Sequence, residues 1–384
     1  MVEAHTAVTP SILPQLPPME RHLRSQFSAA ISLADTSTAM HKYTLLYIVA
    51  LWMMAAGLTS CIREETFDNT PQGTFEALWQ LLDKRYCFFS QKAQEYGLDW
   101  QEVHSRYAPR IQTEMTDRQL FEVLGEMTNE LRDGHVNLYS AWNVARYGAW
   151  FDNYPTNFSD SLERIYLGRT EEYHSAAGLR YRILDDNIGY IRLSSFATEP
   201  GGGNLHELAR HLALCDGWIV DVRSNGGGLL SAAKAVAGLF TDSAYTGGYI
   251  RHKRSAAHED FSPPAAIEIK PFEGLRCQKP VCILTNRRTY SAANAFVMFL
   301  KGRPQVTIVG DVTGGGSGLP LTSELPSGWT VRFSACPMTD SADRPTEAGI
   351  QPDVRTDITS DDYQRGIDTI IEEARTILHP KSVK

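Results

Sequence analysis

The sequence predicts an α/β protein, with a mostly parallel sheet preceded by a small helical domain. From Thr74 to Arg132, apolar residues recur at three- and four-residue steps: Phe75, Leu78, Leu81 and Leu82, then Leu120, Val123, Leu124, Met127 and Leu131. Beyond residue 179, short apolar strands alternate with helical stretches, the signature of βαβ units. Composition agrees: 42% of the 384 residues are hydrophobic and 21% charged, the balance of a folded globular chain with room for about two domains.

Before the helices, residues 1–39 are rich in Pro, Ser and Ala and show no period. Residues 43–60, YTLLYIVALWMMAAGLTS, carry no charge, follow Met40-His41-Lys42 and end in small residues before Cys61. A basic start, an apolar core and a small-residue end read as an export signal rather than a membrane span. Leu58-Thr59-Ser60-Cys61 resembles the bacterial lipobox, which implies acylation of Cys61 and a lipid-anchored protein of the cell envelope, at the periplasmic face or outer membrane. On this reading Met40 is the natural start, 1–39 a mis-assigned extension, 40–60 a lipoprotein signal peptide and 61–72 a tether. Residues 73–140 then form the helical domain, 141–178 a connecting segment and 179–384 the core.

Within the helical domain, Thr116-Asp117-Arg118-Gln119 supplies a capped helix start. The aromatic stretch from Tyr147 to Tyr166 has no clear period and reads as loop or short strand. Leu179–Leu184 and Ile188–Leu193 alternate as two strands around an Asp-Asp-Asn turn, and 205–214 is a helix. Strands are predicted at 217–222, 280–285 and 307–310, and helices at 229–240 and 292–301. The stretch 241–275 breaks the alternation and reads as a loop insertion near the site.

A net charge of −8 argues against nucleic acid as a partner, and the one basic run, Arg251-His252-Lys253-Arg254, reads as a solvated loop. No two of the six cysteines form a C-x-x-C pair, and no metal or cofactor motif is present. The cysteines other than Cys61 read as mostly small buried side chains, with one disulfide open.

Chemistry in such sheets gathers where strands end and helices begin. At one junction, Asp221-Val222-Arg223-Ser224-Asn225 runs into Gly226-Gly227-Gly228, whose backbone can approach a ligand closely. That suits either an oxyanion hole or an anion cradle, and the phosphate-loop spacings are missing. At the other, Ser291 in Thr289-Tyr290-Ser291-Ala292-Ala293-Asn294 is either a helix cap or a nucleophile in need of a base.

These pieces resemble, in order, the C-terminal-processing (tail-specific) serine peptidases, and among them the tricorn-core branch. The resemblance runs through Leu131-Arg132-Asp133-Gly134-His135, Gly189–Phe196, Asp221–Gly227, Thr289–Ala293, Gly310–Gly315 and Glu347–Asp353. It implies a crotonase/Clp-protease-like core and a peptide or protein substrate. It further implies Ser291 as nucleophile, His135 as general base and Glu347 behind it, with oxyanion donors from Ala292 and from Gly226 or Gly227. Two departures stand out. Gly316 occupies the place of the processing branch's lysine base, and Gly134 that of a serine which links histidine to glutamate in the tricorn branch. The stretch between His135 and Arg180 is too short for the PDZ module common in the family. Two other readings remain: a peptide-binding lipoprotein of this fold that cleaves nothing, and an acyl-CoA enzyme of the crotonase type.

Overall fold

A computed structural model describes residues 66–379. The expectations for 1–39, for the signal peptide 40–60, for Cys61 and for the first part of the 61–72 tether lie outside the described residues. Among the described residues, no helix is long and apolar enough to cross a membrane.

The chain opens with four helices, α1 (Pro71–Arg85), α2 (Phe89–Tyr96), α3 (Trp100–Tyr107) and α4 (Asp117–Asn129). Three of the four starts carry a side-chain cap, and α2 does not. Thr70 caps α1 ahead of Pro71, Asp99 caps α3, and Thr116 with Gln119 forms a reciprocal capping box on α4. Their apolar faces bury Leu78, Leu82, Phe121 and Leu124 against Val331, Phe333 and Trp329, which come from near the far end of the chain. The described residues from Phe67 onward accordingly pack as one compact unit.

Next come β1 (Asn137–Tyr139), β2 (Val144–Arg146), α5 (Ala149–Asp152) and α6 (Asp160–Leu167). The aromatic stretch is thus loop at 153–159 between two short helices that the sequence did not announce, Trp150 and Phe151 finding ring partners in tertiary packing that no period records. The core follows as β3 (His174–Ala176), β4 (Leu179–Ile183), β5 (Ile188–Leu193), α7 (Gly202–His211), β6 (Gly217–Asp221) and α8 (Leu230–Ala237). It continues with β7 (Tyr245–Ile250), β8 (Ala265–Ile269), β9 (Val281–Thr285), α9 (Ala292–Leu300) and β10 (Val306–Gly310). The last elements are β11 (Gly318–Glu324), β12 (Thr330–Thr339), β13 (Val354–Arg355), α10 (Ser360–Gln364) and α11 (Thr369–Leu378).

The expected sheet is present as a 7-stranded one in the order β13-β10-β9-β6-β5-β4-β3, parallel from β5 to β13. Its side chains alternate between two buried faces. Val220 and Ile283 pack under α7, α8 and α9, whereas Ile219, Cys282 and Leu284 meet α11 on the other side. A second, 6-stranded sheet follows the order β2-β1-β12-β7-β8, with β11 paired to β12. The stretch 241–275 is therefore not a plain loop, since it contributes the β7–β8 hairpin to that sheet. Cys87, Cys215, Cys277, Cys282 and Cys336 are all buried free thiols.

Candidate active site

Ser291 stands between β9 and α9 with φ 58° and ψ −123°, a strained backbone for any residue but glycine. It occupies the N-cap position, yet its side chain makes no capping bond. The strain is held by a stitched pair of loops. Thr289 Oγ1 donates to Val222 O at 2.9 Å, Tyr290 N to Asn225 O at 2.9 Å, and Ser291 N to Gly315 O at 2.9 Å. Asn286, fully buried, accepts from Ser224 N and donates to Ser224 Oγ, tying the same loops a second time.

The freed hydroxyl meets His135, whose Nε2 lies 3.0 Å from Ser291 Oγ. His135 precedes β1 and is positioned by Asp133, which accepts from His135 N at 2.7 Å and from Ser334 Oγ at 2.8 Å. Burial, followed by the nearby positive Arg332, lowers the imidazole pKa to about 4 against the opposing pull of Asp133. The ring is therefore neutral at pH 7, as a base must be. Its Nδ1 has no hydrogen-bond partner among the described residues.

The glycine loop is equally fixed. Arg223 sits fully buried between Asp221, at 2.7 Å, and Asp368, at 2.9 Å. Asn225 then bridges Leu193 O and the Gly227 N–H. Gly227 as an oxyanion donor is thus corrected: its amide is committed to Asn225 Oδ1 at 2.9 Å. Gly227 serves instead by close approach, since a Cβ there would lie 2.7 Å from Ser291 Cβ and 2.8 Å from Ala292 N. The amides of Gly226, Gly228 and Ala292 make no hydrogen bond among the described residues, and Gly226 and Gly228 border the cavity that contains Ser291. Asp221, like Asp353, which accepts from Ile308 N, has a structural part, as the sequence suggests.

Glu347 does not touch His135. Its Oε2 accepts from Ser317 N at 2.6 Å, and it lines a separate cavity of about 460 Å³ bounded by Gly134, Trp150 and Tyr290. Burial, reinforced by the Asp133 charge, holds this carboxyl well above the ordinary carboxylate range. One residue accounts for both glycine departures. A Cβ at Gly316 would lie 2.4 Å from the Tyr290 ring, and a Cβ at Gly134 would lie 2.9 Å from the Tyr290 hydroxyl and 2.6 Å from Trp150 Nε1. Tyr290, stacked on Trp150 at 4.2 Å and against His135 at 4.8 Å, thus fills the space that a lysine at 316 or a serine at 134 would need.

The structure therefore brings Ser291, His135, Ala292 and the glycine loop together, and leaves Glu347, which the sequence set behind His135, bonded to Ser317 instead. Sequence reasoning missed the positioning parts of Asp133, Asn225 and Tyr290. The signal for Asp133 was available, being a carboxylate two residues from the proposed base at the close of a helix.

A hydroxyl–imidazole pair beside free backbone amides on an α/β core defines the broad class of hydrolases. The family follows from comparison. Residues 187–356 match the model of Peptidase family S41, and residues 67–129 match the Tricorn protease C1 domain. A crystal structure of a candidate peptidase from Parabacteroides merdae is 43% identical, with the match covering 82% of this chain and 98% of that one at a TM-score of 0.77. The chain belongs to the S41 peptidases, the C-terminal-processing family. It is 26% identical to carboxy-terminal processing protease CtpA of Bacillus subtilis over 45% of its own length and 36% of that protein. It is 31% identical to the carboxyl-terminal-processing protease of Synechocystis over 38% of its length and 33% of that protein. The chain thus spans well under half the length of these two relatives.

Proposed function

We propose that this protein is a serine peptidase, an endopeptidase or processing enzyme of C-terminal regions, that cuts peptide bonds through an acyl-enzyme on Ser291. The observation that carries the reading is the 3.0 Å contact of Ser291 Oγ with His135 Nε2, across 156 residues of sequence. A neutral imidazole at that distance takes the hydroxyl proton as Oγ attacks the scissile carbonyl carbon. The oxyanion so formed accepts from Ala292 N–H and from the Gly226 or Gly228 N–H, the two loop amides left free at the cavity. His135 then hands its proton to the leaving amine, and water, deprotonated by the same ring, releases the acid product. Asp133, whose charge reaches the ring, stabilises the imidazolium. Glu347, bonded to Ser317 N and out of contact with His135, takes no step in this scheme.

The test is labelling by a fluorophosphonate probe, located by mass spectrometry, alongside peptide turnover. Wild type should label at Ser291, Ser291→Ala should not, and His135→Ala should lose about 10⁴-fold in kcat. A folded wild type that neither labels nor cuts would instead be a peptide-binding protein of this fold. With the lipobox-like Leu58–Cys61, the reading extends to export and lipid anchoring in the cell envelope. Acyl label incorporated on Cys61 and abolished in Cys61→Ala would support it, and its absence would remove the anchor.

A further inference from the structure

The cleft around Ser291 carries positive charge without a counter-charge. Across the second sheet, the registers Asn137↔Arg146 and Asn137↔Arg332 set Arg146, Asn137 and Arg332 in one row over β2, β1 and β12. Residues in such a row share a face, so the two arginines stand about 10 Å apart on one wall. Both line the cavity of about 560 Å³ that holds His135 and Ser291. Arg332 also borders a smaller cavity of about 140 Å³ that reaches Ser291 from the other side, among Leu230, Leu319, Pro320 and Met338. No Asp or Glu lines either cavity. Neither arginine makes a salt bridge among the described residues, whereas Arg223, Arg251, Arg287 and Arg355 are all engaged. In a chain of net charge −8, two unpaired guanidinium groups at the candidate nucleophile are not a general excess of positive charge. Asp133, whose charge reaches His135, is buried and spent on His135 N and Ser334.

We infer that this cleft selects peptides with a carboxylate beside the scissile bond, held by Arg332 with Arg146 in support. The inference rests on the peptidase reading of the same site. Guanidinium groups bind carboxylates through paired, charge-assisted hydrogen bonds, and that geometry is what lysine or a neutral donor lacks. The carboxylate has two chemical sources, an Asp or Glu side chain or the free C-terminus of the substrate.

Two matched peptide pairs separate the sources, one with Glu against Gln next to the cut and an amidated end, the other neutral with a free against an amidated end. The readout is the acid-to-amide ratio of kcat/KM. In wild type at low salt it should be about tenfold to a hundredfold in one arm, which names the source. Arg332→Gln should bring that ratio near one, Arg332→Glu should invert it, and Arg146→Gln should lower it less. Ratios near one in both arms of wild type, or a ratio unchanged in Arg332→Gln, would overturn the inference. The same peptides titrated onto Ser291→Ala by fluorescence anisotropy give the preference without turnover. If wild type neither labels with the fluorophosphonate nor cuts, the peptidase reading fails, while the binding preference still decides whether Arg332 reads a carboxylate.

Discussion

His135 does its proposed work as a desolvated base. With its pKa lowered to about 4 from the ordinary 6.5, the ring stays neutral far into the acid range. Activity should therefore be retained below pH 6 and fall only as the pH drops through about 4, visible as the acid limb of a kcat/KM profile. A limb near 6.5 would mean that the ring is solvated in the working enzyme. The same shift bears on folding. Between about pH 6.5 and 4 the unfolded chain binds a proton at this site that the folded chain refuses, so stability falls as pH is lowered through that window. Tyr290 makes the second residue-scale case. Its buried hydroxyl faces the Asp133 carboxylate, so Tyr290→Phe should cost about 1 kcal/mol, read as a small fall in melting temperature. Gly134→Ser, which would restore the serine of the tricorn branch, should cost about 1–3 kcal/mol by urea denaturation, because its Cβ would press on Trp150 and Tyr290.

At the scale of elements, the decisive piece is β12. It pairs with β1, β7 and β11, buries Phe333 against the N-terminal helices and carries Arg332 toward the cleft. Phe333→Ala should cost about 3–5 kcal/mol in chemical denaturation, the range for a fully buried aromatic. The loss should register equally in far-UV circular dichroism and in tryptophan fluorescence, because the helices and the strand share one core. Little of this was legible beforehand. The parallel strands at β6 and β9 are continuous apolar runs, whereas β7 carries Gly247 and Gly248 and β8 alternates over only a few residues. Antiparallel strands with one solvated face carry a weaker signal, and their pairing across long separations carries none. The helix starts were legible because a cap is a local hydrogen bond written in neighbouring residues, as Thr116 and Gln119 show.

Across the whole molecule, Arg223 joins the glycine loop to the last helix through Asp221 and Asp368, and Asp368 also caps α11. Asp368→Ala removes one partner of a buried charge and should destabilise by about 3–5 kcal/mol, read as a shift of the denaturation midpoint. Fluorophosphonate labelling of Ser291 should fall with the fraction folded, since the loop and the helix end are one construction. By itself the sequence determined the parallel α/β core, the strand–helix junctions, and Ser291 and His135 as residues to watch, because periodicity, caps and glycine runs are local and the motifs keep their order along the chain. Tertiary structure alone decided that Asn225 takes the Gly227 amide, that Tyr290 fills the room beside Gly134 and Gly316, and that Glu347 stands off from His135. Asn225 is aimed at Gly227, two residues on, by its bond to Leu193 O across 32 residues, and the other outcomes likewise join separate segments of the chain through packing that no local pattern records.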